Sequence, residues 1–357
     1  MNLLTIALYA AATLTLLSLL LLLVIVALRL VTERRAKKEA AFRKRAGAFV
    51  KEYLAGSGIL EETAAELAAD PPNALRLLMG ISETLGEGER ERLRTLFAKL
   101  PFSEREIASL RSRNWERRLH AAEHLGYLGD EQAIPALMQA LRDEILPVRL
   151  ATAHSLARLG CTHAAEAILL ALDVPGEVSQ RRVAEVLFEL GPQVADPILA
   201  LLDNPQNLES SIAIAIRVTG MLRCKRALSR LQEFLKNESP EVRLNSIRSL
   251  ASIGDPSSIP GIAALAADPE WEVRNAAVQA LGRMRAADQH AVLAEALADR
   301  SWWVRASAAR ALLESGPAGV EALRNAAENH VDGFARDISR QVLQENGFLQ
   351  ASTETHP

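Results

Sequence analysis

The chain has 357 residues, with 41 Lys plus Arg against 44 Asp plus Glu, 49% apolar side chains and two cysteines. This balance excludes a disordered polyelectrolyte and a low-complexity chain, and Cys161 and Cys224 supply neither a disulfide framework nor a structural zinc cluster. A net charge of −3 creates no bulk attraction for nucleic acid.

The first predicted element is a helix with no charged residue from Leu3 to Leu28. At about 1.5 Å per residue it spans a hydrocarbon layer of about 30 Å. A cleaved signal peptide needs a basic leader, a shorter apolar core and a small-residue cleavage site. Here nothing basic precedes Leu3, and Arg29-Leu30-Val31 follows the run. Residues 1–32 are therefore expected to be a single transmembrane anchor. Arg29, Arg34, Arg35, Lys37, Lys38, Arg43, Lys44 and Arg45 come next, opposed only by Glu33 and Glu39. The basic side of a span faces the cytoplasm. The expectation is a single-pass protein of a bacterial inner membrane, amino terminus outside and the bulk cytoplasmic.

Residues 33–58 continue as a basic juxtamembrane helix ended by Gly56-Ser57-Gly58, the best hinge candidate in the chain. Phe42, Ala46, Phe49, Val50, Tyr53 and Leu54 recur on one face at spacings of three and four. Two readings stand. Arg34, Arg35, Lys37, Lys38, Arg43, Lys44 and Arg45 lie on anionic lipid, or they only fix topology while the apolar stripe packs on the next helices. Residues 59–112 read as irregular helices broken by Pro71-Pro72, Gly86-Glu87-Gly88 and Pro101, an amino-terminal cap.

From 113 to 348 the chain repeats. A shift of 31 residues aligns Leu125, Leu156, Leu187, Val218, Leu250, Leu281, Leu312 and Leu343, with one step of 32 before Leu250. Seven residues before each stands Arg118, Arg149, Arg243, Arg274, Arg305 or Arg336, replaced by Gln180 and Ser211 in the third and fourth units. Four residues after each stands Gly129, Gly160, Gly191, Gly254, Gly316 or Gly347, with Leu222 and Arg285 as exceptions. Each unit reads as a helix stopped by Gly and followed by a short second helix, with Pro135, Pro197 and Pro260 near second-helix starts. Hairpins of this size bury an apolar face only by stacking. The fold class expected is all-α, a transmembrane helix followed by a solenoid of about eight hairpins. Arg340 replaces an apolar residue in the last unit, as a cap requires, and 349–357 is a polar tail.

Asp268-Pro269-Glu270-Trp271-Glu272-Val273-Arg274 through Leu281-Gly282, and Asp299 through Val304-Arg305 to Leu312, resemble HEAT repeats of the short type named after phycobilisome lyases. The chain is also similar to anchored HEAT-repeat proteins that accompany membrane glycosyltransferases in bacterial polysaccharide systems. The resemblance implies a solenoid that binds another protein, and leaves the partner open.

Few residues suggest chemistry. The arginine column reads as structural, each guanidinium pairing within its own or the adjacent loop, with Asp143, Asn237, Asp268 and Asp299 six residues before four of its members. His120-Ala121-Ala122-Glu123-His124 matches an inverted zinc-peptidase pattern, but it lies in repeat register and lacks a third ligand. Trp115, Trp271 and Trp302 share a column and Trp303 is extra to it. They cover helix starts, or Trp271, Trp302 and Trp303 contact a partner. Arg217, Arg223, Lys225, Arg226 and Arg230 form the densest basic cluster beyond the juxtamembrane helix, with Arg223, Lys225 and Arg226 as further partner-contact candidates. No nucleophile elbow, phosphate loop or dinucleotide fingerprint occurs. The expected protein is a non-enzymatic scaffold without a cofactor, small-molecule substrate or nucleic acid. Its partner is another protein, membrane-associated. A bilin-lyase-like enzyme and a nucleic-acid-binding HEAT protein are the alternatives.

Overall fold

The computed structural model describes the backbone of residues 3–82, 85–100, 102–173, 178–204 and 208–349. Every regular element among them is helical, and the chain divides into two compact units, Met1–Ala133 and Ile134–Pro357.

The first unit holds α1 (Leu3–Ala55), α2 (Leu60–Ala68), α3 (Pro71–Ser82), α4 (Glu87–Ala98), α5 (Phe102–Ser109) and α6 (Trp115–Leu128). The expected anchor falls largely outside the description, because within α1 the side chains of residues 3–16, 18, 27, 28 and 35 are not described. Among the described residues no helix is long and apolar enough to cross a membrane. What is described of the apolar run is exposed on all sides, from Leu19 to Val26 without a break.

Further along α1, Phe42, Ala46, Val50, Tyr53 and Leu54 are buried, and the helix packs on α2, α3 and α4. Of the two readings of this stripe, packing is the one observed. The basic face stays outward, with Arg43 and Arg76 on Glu39 and Arg45 on Glu66. Gly56-Ser57-Gly58 forms a hydrogen-bonded turn. Gly56 takes φ +88°, the amides of Ser57 and Gly58 both donate to the Glu52 carbonyl at 3.0 Å, and the Arg92 guanidinium donates to the Leu54 carbonyl. α6 packs against α5 and α3 within the same unit.

The second unit alternates short and long helices: α7 (Ile134–Ala140), α8 (Leu146–Arg158), α9 (Ala165–Leu172), α10 (Gln180–Glu189), α11 (Ala195–Asp203), α12 (Glu209–Met221), α13 (Leu228–Phe234), α14 (Pro240–Ile253), α15 (Ile259–Ala264), α16 (Trp271–Arg283), α17 (His290–Ala296), α18 (Trp302–Glu314), α19 (Pro317–Asn329) and α20 (Gly333–Glu345). The even-numbered helices from α8 to α20 pack each on the next and form one layer, which the odd-numbered helices cover. Leu156, Leu187, Leu250, Leu281, Leu312 and Leu343 are all fully buried between the layers.

The fourth unit departs from the expected register. The left-handed residues that end the long helices fall at Gly129, Gly160, Gly191, Arg223, Gly254, Arg285, Gly316 and Gly347, so the 32-residue step precedes Arg223, not Gly254. In the same way the Cys224 amide donates to the Thr219 carbonyl, as Cys161 does to Leu156, Ala286 to Leu281 and Phe348 to Leu343. Thr219, not Val218, therefore holds the Leu position, and Ile212 rather than Ser211 stands in the arginine column. The shift passes unnoticed in sequence because Val218 and Thr219 are both β-branched, neither Ser211 nor Ile212 is an arginine, and arginine replaces the glycine that marks the helix end.

Two glycines set the spacing within the long-helix layer. A Cβ on Gly220 would lie 2.7 Å from the Ser249 Cα, and one on Gly282 would lie 2.7 Å from the Ala311 Cβ. These contacts draw α12 onto α14 and α16 onto α18.

Candidate interaction surfaces

The arginine column is a structural device. Arg118, Arg149, Arg243, Arg274, Arg305 and Arg336 each donate from Nη1 to the carbonyl six residues earlier, at 2.6 to 2.9 Å. Each guanidinium thus ties down the loop leading into its own helix. A carboxylate is added from the adjacent loop, that of the following repeat. Arg243 makes a two-pronged pair with Asp268 at 2.8 Å, and Arg274 one with Asp299 at 2.6 and 2.9 Å. The aspartates are not free to serve their own arginine: Asp268 and Asp299 accept from the amides of Glu270 and Ser301 at 3.0 and 2.7 Å. Burial acts to raise the Asp299 carboxyl, but the Arg274 and Ser301 hydrogen bonds hold it below the usual carboxylate range. The Asp268 and Asp299 hydrogen bonds correspondingly raise Arg243 and Arg274. Arg243 and Arg274 cross-link neighbouring repeats with most of their donors.

Trp271, Trp302 and Trp303 stand at the first turns of α16 and α18 and are 38%, 52% and 59% exposed. Each leaves a large part of its ring open to solvent. Trp302 and Trp303 meet edge to face with ring centroids 4.9 Å apart. Phe334 stands 31 residues after Trp303, at the first turn of α20, and is 65% exposed with Val331 beside it at 95%. The Arg305 guanidinium lies 4.8 Å from the centre of the Phe334 ring. The result is an apolar edge over the helix starts of the last three repeats. Phe334 and Val331 were missed in sequence, although the repeat interval from Trp303 points to the first. Trp115 is similarly exposed in the first unit.

The basic cluster of the fourth unit is dispersed. Arg226 pairs with Asp196 at 2.7 Å, and Arg230 pairs with Glu233 at 2.6 Å while donating to the Leu202 carbonyl. Arg223 stands at the left-handed end of α12 with its side chain exposed, and Lys225 is exposed next to it. Arg217 faces a different neighbour, Asn245 of α14, to which it donates from Nη2 at 2.9 Å.

His120 and His124 stack with ring centroids 6.1 Å apart, but their Nδ1 atoms meet separate carboxylates, Glu123 at 3.2 Å and Glu106 at 3.1 Å. A cavity of about 410 Å³ beside them is lined by Pro71, Leu75, Phe102 and Glu106. Among the described residues no three or more His, Cys, Asp or Glu side chains are grouped to hold a metal ion. Cys161 lies 3.4 Å from Nε2 of His163, yet burial pushes its thiol up, away from the reactive thiolate.

Stacked hairpins cross-linked by Arg–Asp pairs define a class of α-solenoid. The family model for HEAT repeats matches residues 105–188, 195–281 and 259–344, and the chain belongs to that family. Among curated proteins it is similar to the phycocyanobilin lyase subunit alpha of Picosynechococcus sp., 26% identical over 154 residues, which is 38% of this chain. The match spans 58% of that relative's length. Among solved structures it is similar to the complex of CpcE and CpcF of phycocyanin lyase from Nostoc sp. (20% identity, 68% of this chain and 94% of that one, TM-score 0.33). It is also similar to importin beta (14% identity, 84% of this chain and 48% of that one, TM-score 0.49).

Proposed function

We propose that the protein is a non-catalytic scaffold, anchored in a bacterial inner membrane by the start of α1, whose cytoplasmic HEAT array holds another membrane-associated protein. The observation that carries the partner is the apolar edge of Trp271, Trp302, Trp303 and Phe334. Large aromatic side chains exposed together are unusual on a free surface and are the residues that dominate interface energies. The anchor is supported by the exposed run from Leu19 to Val26. Eight consecutive apolar residues face every direction around a helix, so a groove on one protein face would leave half of them in water, whereas a bilayer covers them all. The basic residues after the run favour an interior carboxyl terminus. Arg34, Lys37 and Lys38 remain outward for anionic lipid. The partner class we favour is a membrane enzyme complex such as a polysaccharide glycosyltransferase.

The test is photo-crosslinking in native membranes from a reactive side chain at Trp303. One membrane protein should be captured, and Trp302→Ala together with Phe334→Ala should lower its recovery at least tenfold. Undiminished capture by that variant refutes the edge. A periplasm-active reporter fused after Pro357 should stay silent, and activity there refutes the orientation.

The similarity to a phycocyanobilin lyase subunit favours a second reading, tetrapyrrole handling. Bilin colour in the purified protein would replace the scaffold reading with it.

A further inference from the structure

The corrected register exposes a column that the uncorrected one hides. Two residues before the Leu position, the long helices α8 to α20 carry His154, Glu185, Arg217, Arg248, Gln279, Arg310 and Gln341. With Val218 in the Leu position, the fourth member would be Ile216 and no run of arginines would be seen. All seven face outward, half-buried or exposed.

The two ends of this column differ in how far their charges are satisfied. Towards α8, His154 pairs with Glu189 at 2.8 Å and Glu185 accepts from Arg181 at 2.8 Å. From α12 onward the two glutamines keep partners, Gln279 donating to Ser307 at 3.2 Å and Gln341 to Glu345 at 2.8 Å, while the arginines find few. Arg217 has one bond, to Asn245, and its Nε is buried with no acceptor. The guanidinium groups of Arg248 and Arg310 make no hydrogen bond or ion pair among the described residues, and that of Arg283, one turn beyond Gln279, has only a long contact from Nε to the Gln279 carbonyl at 3.4 Å. The groups also crowd each other. Burial lowers Arg217 and Arg248, and the neighbouring charges of Arg181, Arg217 and Arg283 lower them further. Arg283 and Arg310 share the wall of a shallow cavity of about 360 Å³ with Gln279, Ser307 and Glu314. The carboxylates nearby are few: Glu185 is already engaged by Arg181, Glu241 lies near Arg217, and Glu314 lines the cavity.

We infer that the stripe Arg217, Arg248, Arg283 and Arg310 is a docking track for an extended, acidic peptide segment of a partner protein, with a carboxylate at about every third residue. This rests on the scaffold reading and adds a second contact surface to it. The spacing follows from helix geometry. Packed helices lie about 8 to 10 Å apart, and Gly220 and Gly282 permit close approach in this layer. A polyproline II segment has three residues per turn and rises about 3.1 Å per residue, so every third side chain lies on one face about 9 Å from the last. Carboxylates at that interval meet successive arginines without bending the chain. A guanidinium offers a carboxylate two parallel donors, and a carboxylate acceptor is what Arg217 and Arg248 lack among the described residues. A nucleic-acid strand is disfavoured by the single-file width of the stripe, by Glu241 and Glu314 beside it, and by the absence of any aromatic platform along it.

The experiment measures fluorescence anisotropy with full-length protein in detergent and two labelled peptides of equal composition. One is a fifteen-residue repeat of Glu-Pro-Pro and the other has its five glutamates contiguous. The periodic peptide should bind at least about fivefold more tightly, and Arg248→Gln and Arg310→Gln should each weaken it about five- to tenfold. Arg248→Lys, which keeps the charge and loses the fork, should fall between. Circular dichroism checks that each variant retains its helices. Equal binding of the two peptides, or parent-like binding by both Gln variants, overturns the proposal. So does tighter binding of a single-stranded oligonucleotide that the same variants abolish, since the track would then serve nucleic acid. Trp303→Ala should bind the peptide like the parent, so loss of the track and loss of the apolar edge are read separately.

Discussion

Arg274 and Arg310 lie in the same layer of the second unit, one repeat apart, and differ in nearly everything that decides what an arginine does. Arg274 is 5% exposed and makes four hydrogen bonds, two to loop carbonyls and two to the buried carboxylate of Asp299. Arg310 is exposed, and its guanidinium has no hydrogen bond or ion pair among the described residues. The same contrast separates Arg243, sealed at the loop edge, from Arg248, open on the helix face. A repeat can therefore use one residue type for cohesion and for recognition, and the count of satisfied donors separates the two uses better than position in the motif does.

The largest effect expected is from a charge placed where no partner exists. Leu281 is fully buried between the layers. Leu281→Asp should cost several kcal/mol and unfold adjacent repeats, with the damage weakening with distance along the stack. Thermal denaturation and hydrogen exchange would measure it, and a variant that melts like the parent would refute the register.

Removing one member of a sealed pair comes next. Arg274→Ala strands Asp299 in the interior and should cost about 3 to 5 kcal/mol, while Arg310→Ala should stay within about 0.5 kcal/mol of the parent. If the two variants melt alike, the division into sealed and open arginines fails. Acid sharpens the same test. Because the folded Asp299 pKa is lowered, its contribution is fully present above the unfolded carboxylate value of about 3.9 and is lost as pH falls through the folded value. The parent should lose this increment below about pH 4, whereas Arg274→Ala has little of it to lose.

Most of the fold is legible in the sequence, and the exceptions share a cause. The 31-residue interval, the buried Leu column and the hairpin are all carried by local pattern: helical period, a glycine stop, proline at second-helix starts. What is not legible depends on a neighbour. Asp299 looks like the partner of Arg305, six residues on, but its oxygens are taken by the Ser301 amide and by Arg274 of the preceding repeat. The apolar stripe of Phe42 to Leu54 reads equally well as a lipid face or a packing face until α2, α3 and α4 are seen against it. Of the candidate site, Trp271, Trp302 and Trp303 are visible from their spacing, whereas Arg217 and Arg248 become a row only after the fourth repeat is shifted by one.

The smallest effect is the one that tests that shift. Arg223 and Arg285 both hold φ +49° at positions where six other long helices end in glycine. A left-handed conformation costs a residue with a side chain about 1 to 2 kcal/mol relative to right-handed geometry, and glycine is largely free of that cost. Arg285→Gly stands in the glycine column under either register, and should stabilise by roughly 0.5 to 1 kcal/mol after the added freedom of the unfolded chain is subtracted. The fourth repeat discriminates. If the helix end is at Arg223, then Arg223→Gly should match Arg285→Gly, and Leu222→Gly, one residue earlier in right-handed backbone at φ −75°, should destabilise by about 1 kcal/mol. If the extra residue instead follows the helix end, the two glycine substitutions exchange signs. Paired melting curves decide this, and they also decide whether Arg217 stands in line with Arg248 and Arg310 or one place out of it.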